Sequence, residues 1–167
     1  AADGAFQDHL RAFIDEARSA DIKPVLVTSL TRRRWASDGR IEPTLADYAA
    51  ATSVVAKEKG VPLIDLHSLS IHQCEQLGPI PFRAFEPMTE KGVDHTHLNL
   101  DGSRAVATLV AKACVNAMPE SVKWFSSEKI KAAEVPQLYS KRLSHGKLQL
   151  EETDSTVTIQ QSGNVIL

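Results

Sequence analysis

Two short apolar runs, each preceded by an amphipathic helical pattern, constrain the fold of this chain most strongly. The runs occupy residues 23–28 and 61–66, and their apolar residues follow one another without alternating with polar ones. Strands buried on both faces of a parallel sheet have this composition. Pro62 lies at the start of its run, where a missing backbone donor matters least. The runs therefore predict two parallel strands in a layered α/β fold with right-handed crossovers.

Four helices are predicted from apolar residues spaced three and four apart. We expect them at residues 5–20, 44–60, 67–77 and about 101–118. Asp3 is the expected cap of the first helix, and Thr44 opens the second, which Gly60 ends. A loop rich in glycine and proline joins the last two helices. The order of elements is thus helix, strand, helix, strand, helix, polar loop, helix.

The chain changes character after Met118, and a boundary is predicted there. The first unit spans residues 1–118. Residues 119–167 carry many charges, followed by pairs of apolar residues two apart that are typical of short strands. This second unit is predicted to be a linker with a β-rich tail, which is either an appendage or the start of another module.

Composition and charge exclude several classes of function. The net charge of −2 gives no basic balance that would favour nucleic acid. No apolar run approaches the roughly 18 residues of a membrane span, and the first residues lack the pattern of a signal peptide. Cys74 and Cys114 match neither a metal knuckle nor a redox motif. Two buried free thiols are therefore expected, with a disulfide as the alternative if the protein is exported.

A carboxylate and an imidazole lie three residues apart in the polar loop before the last helix. Asp94 can accept the ring N–H of His97 and fix its tautomer, which leaves the other ring nitrogen basic. Such a pair is the acid–base half of a nucleophilic triad. His95 could compete for the same carboxylate, but the spacing favours His97.

These elements, together with Asp94-x-x-His97, resemble the SGNH (GDSL-type) hydrolases, and more narrowly their rhamnogalacturonan acetylesterase branch. The matching segments are residues 13–18, 24–28, 31–34, 61–67 and 93–99. The resemblance implies a Ser–His–Asp esterase on a flavodoxin-like, three-layer parallel sheet. In that reading, Asp94 orients His97, and His97 deprotonates the serine. The family's Gly-Asp-Ser and Gly-x-Asn-Asp motifs do not occur here, so the chain corresponds to the C-terminal half of such a hydrolase.

The loop that follows the first strand supplies the candidate substrate-binding residues. Arg33 and Arg34 are predicted to contact carboxylates of an acidic pectic chain, and Trp35 to stack on a sugar ring. The alternative is a solvated loop. Ser29 also follows the strand but lacks the Gly-x-Ser-x-Gly elbow of a nucleophile. The histidines lack the spacing of a zinc site, and neither a metal nor a cofactor is expected.

The predicted function is that of a serine esterase that removes O-acetyl groups from a pectic or related polysaccharide. The alternatives are a non-catalytic remnant or binding module that lacks the nucleophile, or an SGNH lipase or thioesterase. The expected partners are an acetylated polysaccharide or small ester, and the missing N-terminal half, without which the chain is nearly inactive and prone to self-association. No nucleic acid or membrane partner is expected. The resemblance implies a secreted or periplasmic location.

Overall fold

The computed structural model describes residues 2–125 and, beyond them, only the backbone of four residue pairs. The α-helices are α1 (Ala5–Ser19), α2 (Ala46–Lys59), α3 (Leu66–Leu77), α4 (Pro79–Phe82) and α5 (Leu100–Ala117). The strands within residues 2–125 are β1 (Leu26–Val27), β2 (Leu63–Ile64), β3 (Met88–Thr89) and β4 (Gly92–Val93). Two 3₁₀ turns cover Arg83–Phe85 and Pro119–Trp124. The fold is mixed α/β, as predicted.

The two predicted parallel strands pair with each other but are shorter than expected. Leu26 lies opposite Leu63, and Val27 opposite Ile64, in a parallel ladder. The second strand ends at Ile64 because the next residue, Asp65, already caps α3. In the part of the chain that the structure describes, this sheet has two strands. The three-layer parallel sheet of the prediction is therefore not confirmed.

The N-terminal caps of α1 and α2 differ from the predicted ones, whereas the predicted end of α2 is confirmed. Gly4 and Leu45 precede α1 and α2, and neither supplies a side-chain cap, so the predicted caps at Asp3 and Thr44 are wrong. The backbone of Gly60 is left-handed, with φ of 59°, and ends α2 as expected. Such a conformation favours glycine because a Cβ would be strained there.

Three clusters of buried apolar side chains form the core. One joins α1 to α2 and contains Ile14, Val55, Ala56 and Val61. A second joins β2 to α5 and contains Ile64, Leu66, Val106, Cys114 and Met118. The third lies beneath the polar loop and contains Ile41, Cys74, Phe82, Phe85 and Ala105. Both cysteines are buried and unpaired, as predicted, and burial raises the pKa of the Cys74 thiol to about 12, so this thiol is unreactive at neutral pH.

The glycine- and proline-rich segment before Asp94 is ordered into elements that the sequence analysis did not predict. It forms α4, the turn Arg83–Phe85 and the antiparallel β3–β4 hairpin. Helix α5 packs tightly against that turn at Gly102. A Cβ atom at Gly102 would lie 2.6 Å from the carbonyl oxygen of Phe85. Glycine therefore lets the helix that follows the polar loop approach the segment that precedes it.

Beyond residue 125 the described backbone forms two short antiparallel pairings. Leu143–Ser144 pairs with Lys147–Leu148, and Gln160–Gln161 pairs with Asn164–Val165. The rest of the predicted β-rich tail lies outside the described residues, and the domain boundary at 118 stays a prediction. Among the helices that the structure describes, none has the length and apolar character needed to cross a membrane.

Candidate active site

Asp94 holds both the backbone and the ring of His97. Its Oδ1 atom accepts the backbone N–H groups of Thr96 at 2.7 Å and of His97 at 3.0 Å. Its Oδ2 atom lies 2.7 Å from Nδ1 of the His97 ring. Because an ionised carboxylate only accepts hydrogen bonds, Nδ1 of a neutral ring must carry the proton. The tautomer is thereby set, and Nε2 of a ring that is 77% exposed is left as the basic nitrogen.

Hydrogen bonding keeps the Asp94 carboxylate ionised. The bond from the His97 ring and those from the two backbone N–H groups hold the pKa of Asp94 well below its usual range. Hydrogen bonds to the charged form of an acid favour that form. The group therefore remains an anion that can stabilise a neighbouring imidazolium when the ring takes up a proton.

Both ends of the loop that carries the pair are tied to the preceding segment. The backbone N–H of Asp94 donates to the carbonyl of Pro87 at 2.9 Å, and that of Asn99 donates to the carbonyl of Phe85 at 2.9 Å. The Asn99 side-chain amide also donates to the carbonyl of Ala84, and its oxygen accepts the N–H of Gly102, which caps α5. These bonds place the pair at the start of α5, on a short loop with fixed ends.

The structure corrects the prediction that Arg33 binds substrate. Its side chain is fully buried, and the guanidinium donates to the Glu86 carboxylate and to the carbonyls of Thr31, Thr96 and His97. A guanidinium surrounded by protein acceptors presents no donor to a polysaccharide. Arginine is seldom fully buried unless it is paired, and here its partner is the buried Glu86.

Glu86 is a residue of this site that the sequence analysis missed. Its carboxylate is 1% exposed, and its Oε1 atom lies 3.2 Å from Nε of Arg33 and 2.9 Å from Nδ1 of His95. The His95 ring thus pairs with Glu86, while that of His97 pairs with Asp94. The only available signal was an acidic residue within the apolar segment 80–88, because a carboxylate in such a context needs a cationic partner.

Arg34 and Trp35 differ in how much they offer to a ligand. The side chain of Arg34 is 70% exposed and forms an ion pair with Glu42 at 2.5 Å. Trp35 is partly buried against the cluster that contains Ile41 and Cys74, and its backbone forms a β-bridge to Ile41. Arg34 remains accessible, whereas much of the Trp35 ring is engaged in packing. Their role in binding substrate stays a prediction.

Ser29 and His67 contact each other without forming a nucleophile–base pair. Nδ1 of the buried His67 ring lies 3.2 Å from the carbonyl oxygen of Ser29, not from its hydroxyl. Within residues 2–125, the Ser29 hydroxyl and Nε2 of His67 are buried and have no hydrogen-bond partner. The same residues contain no group of three or more His, Cys, Asp or Glu placed to hold a metal ion.

Comparisons with known proteins give curated relatives and one solved structure. No family model matches the chain. Rhamnogalacturonan acetylesterase RhgT of Bacillus subtilis is 40% identical over 116 residues, which are 64% of this chain and 50% of the relative. The probable rhamnogalacturonan acetylesterase YesY of the same organism is 29% identical over 107 residues, which are 64% of this chain and 49% of the relative.

The structural comparison shows a shared fold. The crystal structure of protein YxiM from Bacillus subtilis matches with a TM-score of 0.59 and 24% identity, over 66% of this chain and 30% of that one. The chain spans about half the length of the curated relatives it matches. The resemblance predicted from the sequence is thereby confirmed: across about two thirds of its length, this chain is similar to half of a rhamnogalacturonan acetylesterase.

Proposed function

We propose that the chain is the histidine-bearing part of an SGNH-type serine esterase that removes O-acetyl groups from a pectic or related polysaccharide. The observation that carries the proposal is the Asp94–His97 pair, in which the ring has a fixed tautomer and an available Nε2 atom. The names of the relatives support the class of reaction. The relatives are twice as long as the matched region, so the activity of the whole protein is part of the proposal.

In the proposed mechanism the His97 ring moves one proton in each direction. Nε2 takes the proton of a serine hydroxyl supplied by the half that this chain does not span, and the serine oxygen attacks the acetyl carbonyl. The imidazolium returns that proton to the departing sugar oxygen, which leaves an acetyl-serine. Water then repeats the sequence, with the same nitrogen as base, and releases acetate. Asp94 stays ionised throughout and compensates the positive ring.

The arginine-rich loop beside the Asp94–His97 pair is suited to a polar substrate. Arg32, Arg34 and Arg40 are all exposed, and guanidinium groups suit the carboxylates of an acidic polysaccharide. We propose Arg34 and the exposed part of Trp35 as the substrate contacts. A lipase or thioesterase would need an apolar surface there, which disfavours that alternative. An acetylated polysaccharide as substrate also implies a protein that is secreted or periplasmic.

We propose that β1 faces the half of the esterase that this chain does not span. Within the described residues, β1 pairs on one side only, with β2, and Val27 of this strand is 45% exposed although its sequence is typical of a buried strand. A strand edge without a partner is a template for further pairing. We expect the isolated chain to be nearly inactive and to self-associate.

The experiment measures acetate release by the 167-residue chain, alone and mixed with the half of RhgT that this chain does not match. Acetylated rhamnogalacturonan, acetylated xylan and a long-chain p-nitrophenyl ester are compared as substrates. We expect activity in the mixture only, with preference for the first substrate. His97→Ala in the mixture should abolish it, whereas His9→Ala, at an exposed position on α1, should not.

Two results would contradict the proposal. Robust hydrolysis by the chain alone would show that it uses a different nucleophile. Activity in the mixture that survives His97→Ala would show that this ring is not the base. A complex that forms and hydrolyses none of the esters would favour the alternative of a non-catalytic binding module, because the RhgT half would supply the serine and this chain would fail to supply the base.

A further inference from the structure

Arg33 is a buried charged group that the proposed mechanism does not use. The residue is 1% exposed, and its side chain is among the largest that are fully buried. Burying a guanidinium is costly unless each part of it is hydrogen-bonded and its charge is balanced. The hydrogen-bond acceptors around the guanidinium compensate for the cost of burying it.

Arg33 binds three successive carbonyl groups of the loop that carries the Asp94–His97 pair. Its backbone N–H donates to the carbonyl of His95 at 2.9 Å. Its Nη1 atom donates to the carbonyl of Thr96 at 3.1 Å, and its Nη2 atom donates to that of His97. Asp94 accepts the N–H groups of Thr96 and His97. Arg33 thus binds three acceptors of this turn, through its backbone and its side chain, and the Asp94 carboxylate binds two of its donors.

Glu86 fixes the direction in which the guanidinium points. Its Oε1 atom accepts Nε–H of Arg33 at 3.2 Å, so the two Nη atoms face away from it, towards the loop carbonyls. The ring of Phe82 lies 5.8 Å from the guanidinium carbon. The Glu86 carboxylate is buried beside the guanidinium, so its charge also balances that of Arg33. The guanidinium is therefore hydrogen-bonded at Nε as well as at both Nη atoms.

We infer that Arg33, oriented by Glu86, is a positioning residue that holds the backbone of residues 95–97 so that the His97 ring meets Asp94. The inference rests on the proposed function only in taking that ring as the catalytic base. Lysine at position 33 would still balance Glu86, but its single nitrogen cannot reproduce a planar fork that reaches Glu86 and two carbonyls together. Arg33→Lys therefore keeps the charge balance with Glu86 and removes the contacts that position the loop.

The test uses the intact 167-residue chain with ¹⁵N-labelled histidine. The ring nitrogen shifts of His97 report its tautomer, and the Nδ1 proton reports the bond to Asp94. We expect a single Nδ1–H tautomer in the natural chain and in Arg32→Lys, the matched control at the adjacent exposed arginine. In Arg33→Lys we expect averaged nitrogen shifts and loss of the Nδ1 proton signal. The amide spectrum of α1 and α2 should be unchanged.

A second variant keeps the test decisive if Arg33→Lys does not fold. Arg33→Met/Glu86→Leu removes both buried charges together, a replacement that proteins often tolerate without loss of stability. We expect this variant to fold and to show the same averaging at His97. A folded variant of either kind whose His97 signals match those of the natural chain would overturn the inference.

Kinetics distinguish this inference from the proposed function. In the mixture with the other half, Arg33→Lys should lower kcat by about 10- to 100-fold and leave KM unchanged, because a misplaced base slows the chemistry and not binding. If His97→Ala leaves activity intact, the proposed function fails, and the NMR result on Arg33 still decides whether it positions the ring. An unchanged kcat in Arg33→Lys, with His97→Ala inactive, would contradict the positioning role alone.

Discussion

The Oδ2 atom of Asp94 lies 2.7 Å from Nδ1 of His97, and its Oδ1 atom accepts two backbone N–H groups from the same turn. One carboxylate therefore orders both the chain and the ring that it carries. All three bonds favour its ionised form, so protonation of Asp94 would release the ring and loosen the turn together.

The pH dependence of this carboxylate follows from the direction of its shift. Because the folded protein lowers the pKa of Asp94, its contribution to stability is fully present above the unfolded value of about 3.9. That contribution is lost as pH falls from there through the lower folded value. We expect ¹³C NMR to show the Asp94 carboxylate still ionised at about pH 3. In His97→Ala, which removes the largest cause of the shift, the titration should move up towards its ordinary range. An unmoved midpoint in that variant would contradict the ring bond as the main cause.

Gly102→Ala should destabilise the protein by about 1–3 kcal/mol. The added methyl would lie 2.6 Å from the backbone oxygen of Phe85 and 2.9 Å from its Cβ. Neither atom can rotate away, and the overlap should outweigh the better helix propensity of alanine. Urea unfolding followed by circular dichroism measures the change. Ser103→Ala, at the next and exposed position, should stay within about 0.5 kcal/mol. Equal stability of the two variants would show that α5 does not need this close approach.

Neighbouring valines on α2 should differ sharply when each is truncated. Val55 is fully buried in the cluster that joins α1 to α2, whereas Val54 is 53% exposed. Val55→Ala removes two buried methyl groups and leaves a cavity, which should cost about 1.5–3 kcal/mol. Val54→Ala should change the free energy of unfolding by less than about 0.5 kcal/mol. Similar losses from both variants would contradict the observed packing of α2.

The sequence predicted the parts of the fold that local pattern controls. The spacing of apolar residues placed α1, α3 and α5 within about a residue of their ends, and Gly60 marked the end of α2. The spacing of Asp94 and His97 also predicted their contact, which the structure shows at 2.7 Å. These features depend on neighbours in the chain.

The features that the sequence did not predict depend on residues far apart in the chain. Arg33 lies 53 positions from Glu86 and 64 from His97, and an arginine between two other arginines gives no local sign of burial. The predicted caps at Asp3 and Thr44 were wrong because α1 and α2 begin after Gly4 and Leu45, without a side-chain cap. The order within residues 79–93 comes from bonds of Pro87 and Phe85 to the loop beyond them, which no periodicity reveals.

Asp94→Asn in the mixture of this chain with the complementary half of RhgT tests the central claim most directly. An amide at position 94 can donate to Nδ1 and so favour the tautomer with the proton on Nε2, which cannot accept a proton from serine. We expect a fall in kcat of about 10⁴-fold, with the fold of the chain retained. An Asp94→Asn mixture whose kcat stays within about threefold of the natural one, well short of the tenfold that about 1.4 kcal/mol represents, would contradict it.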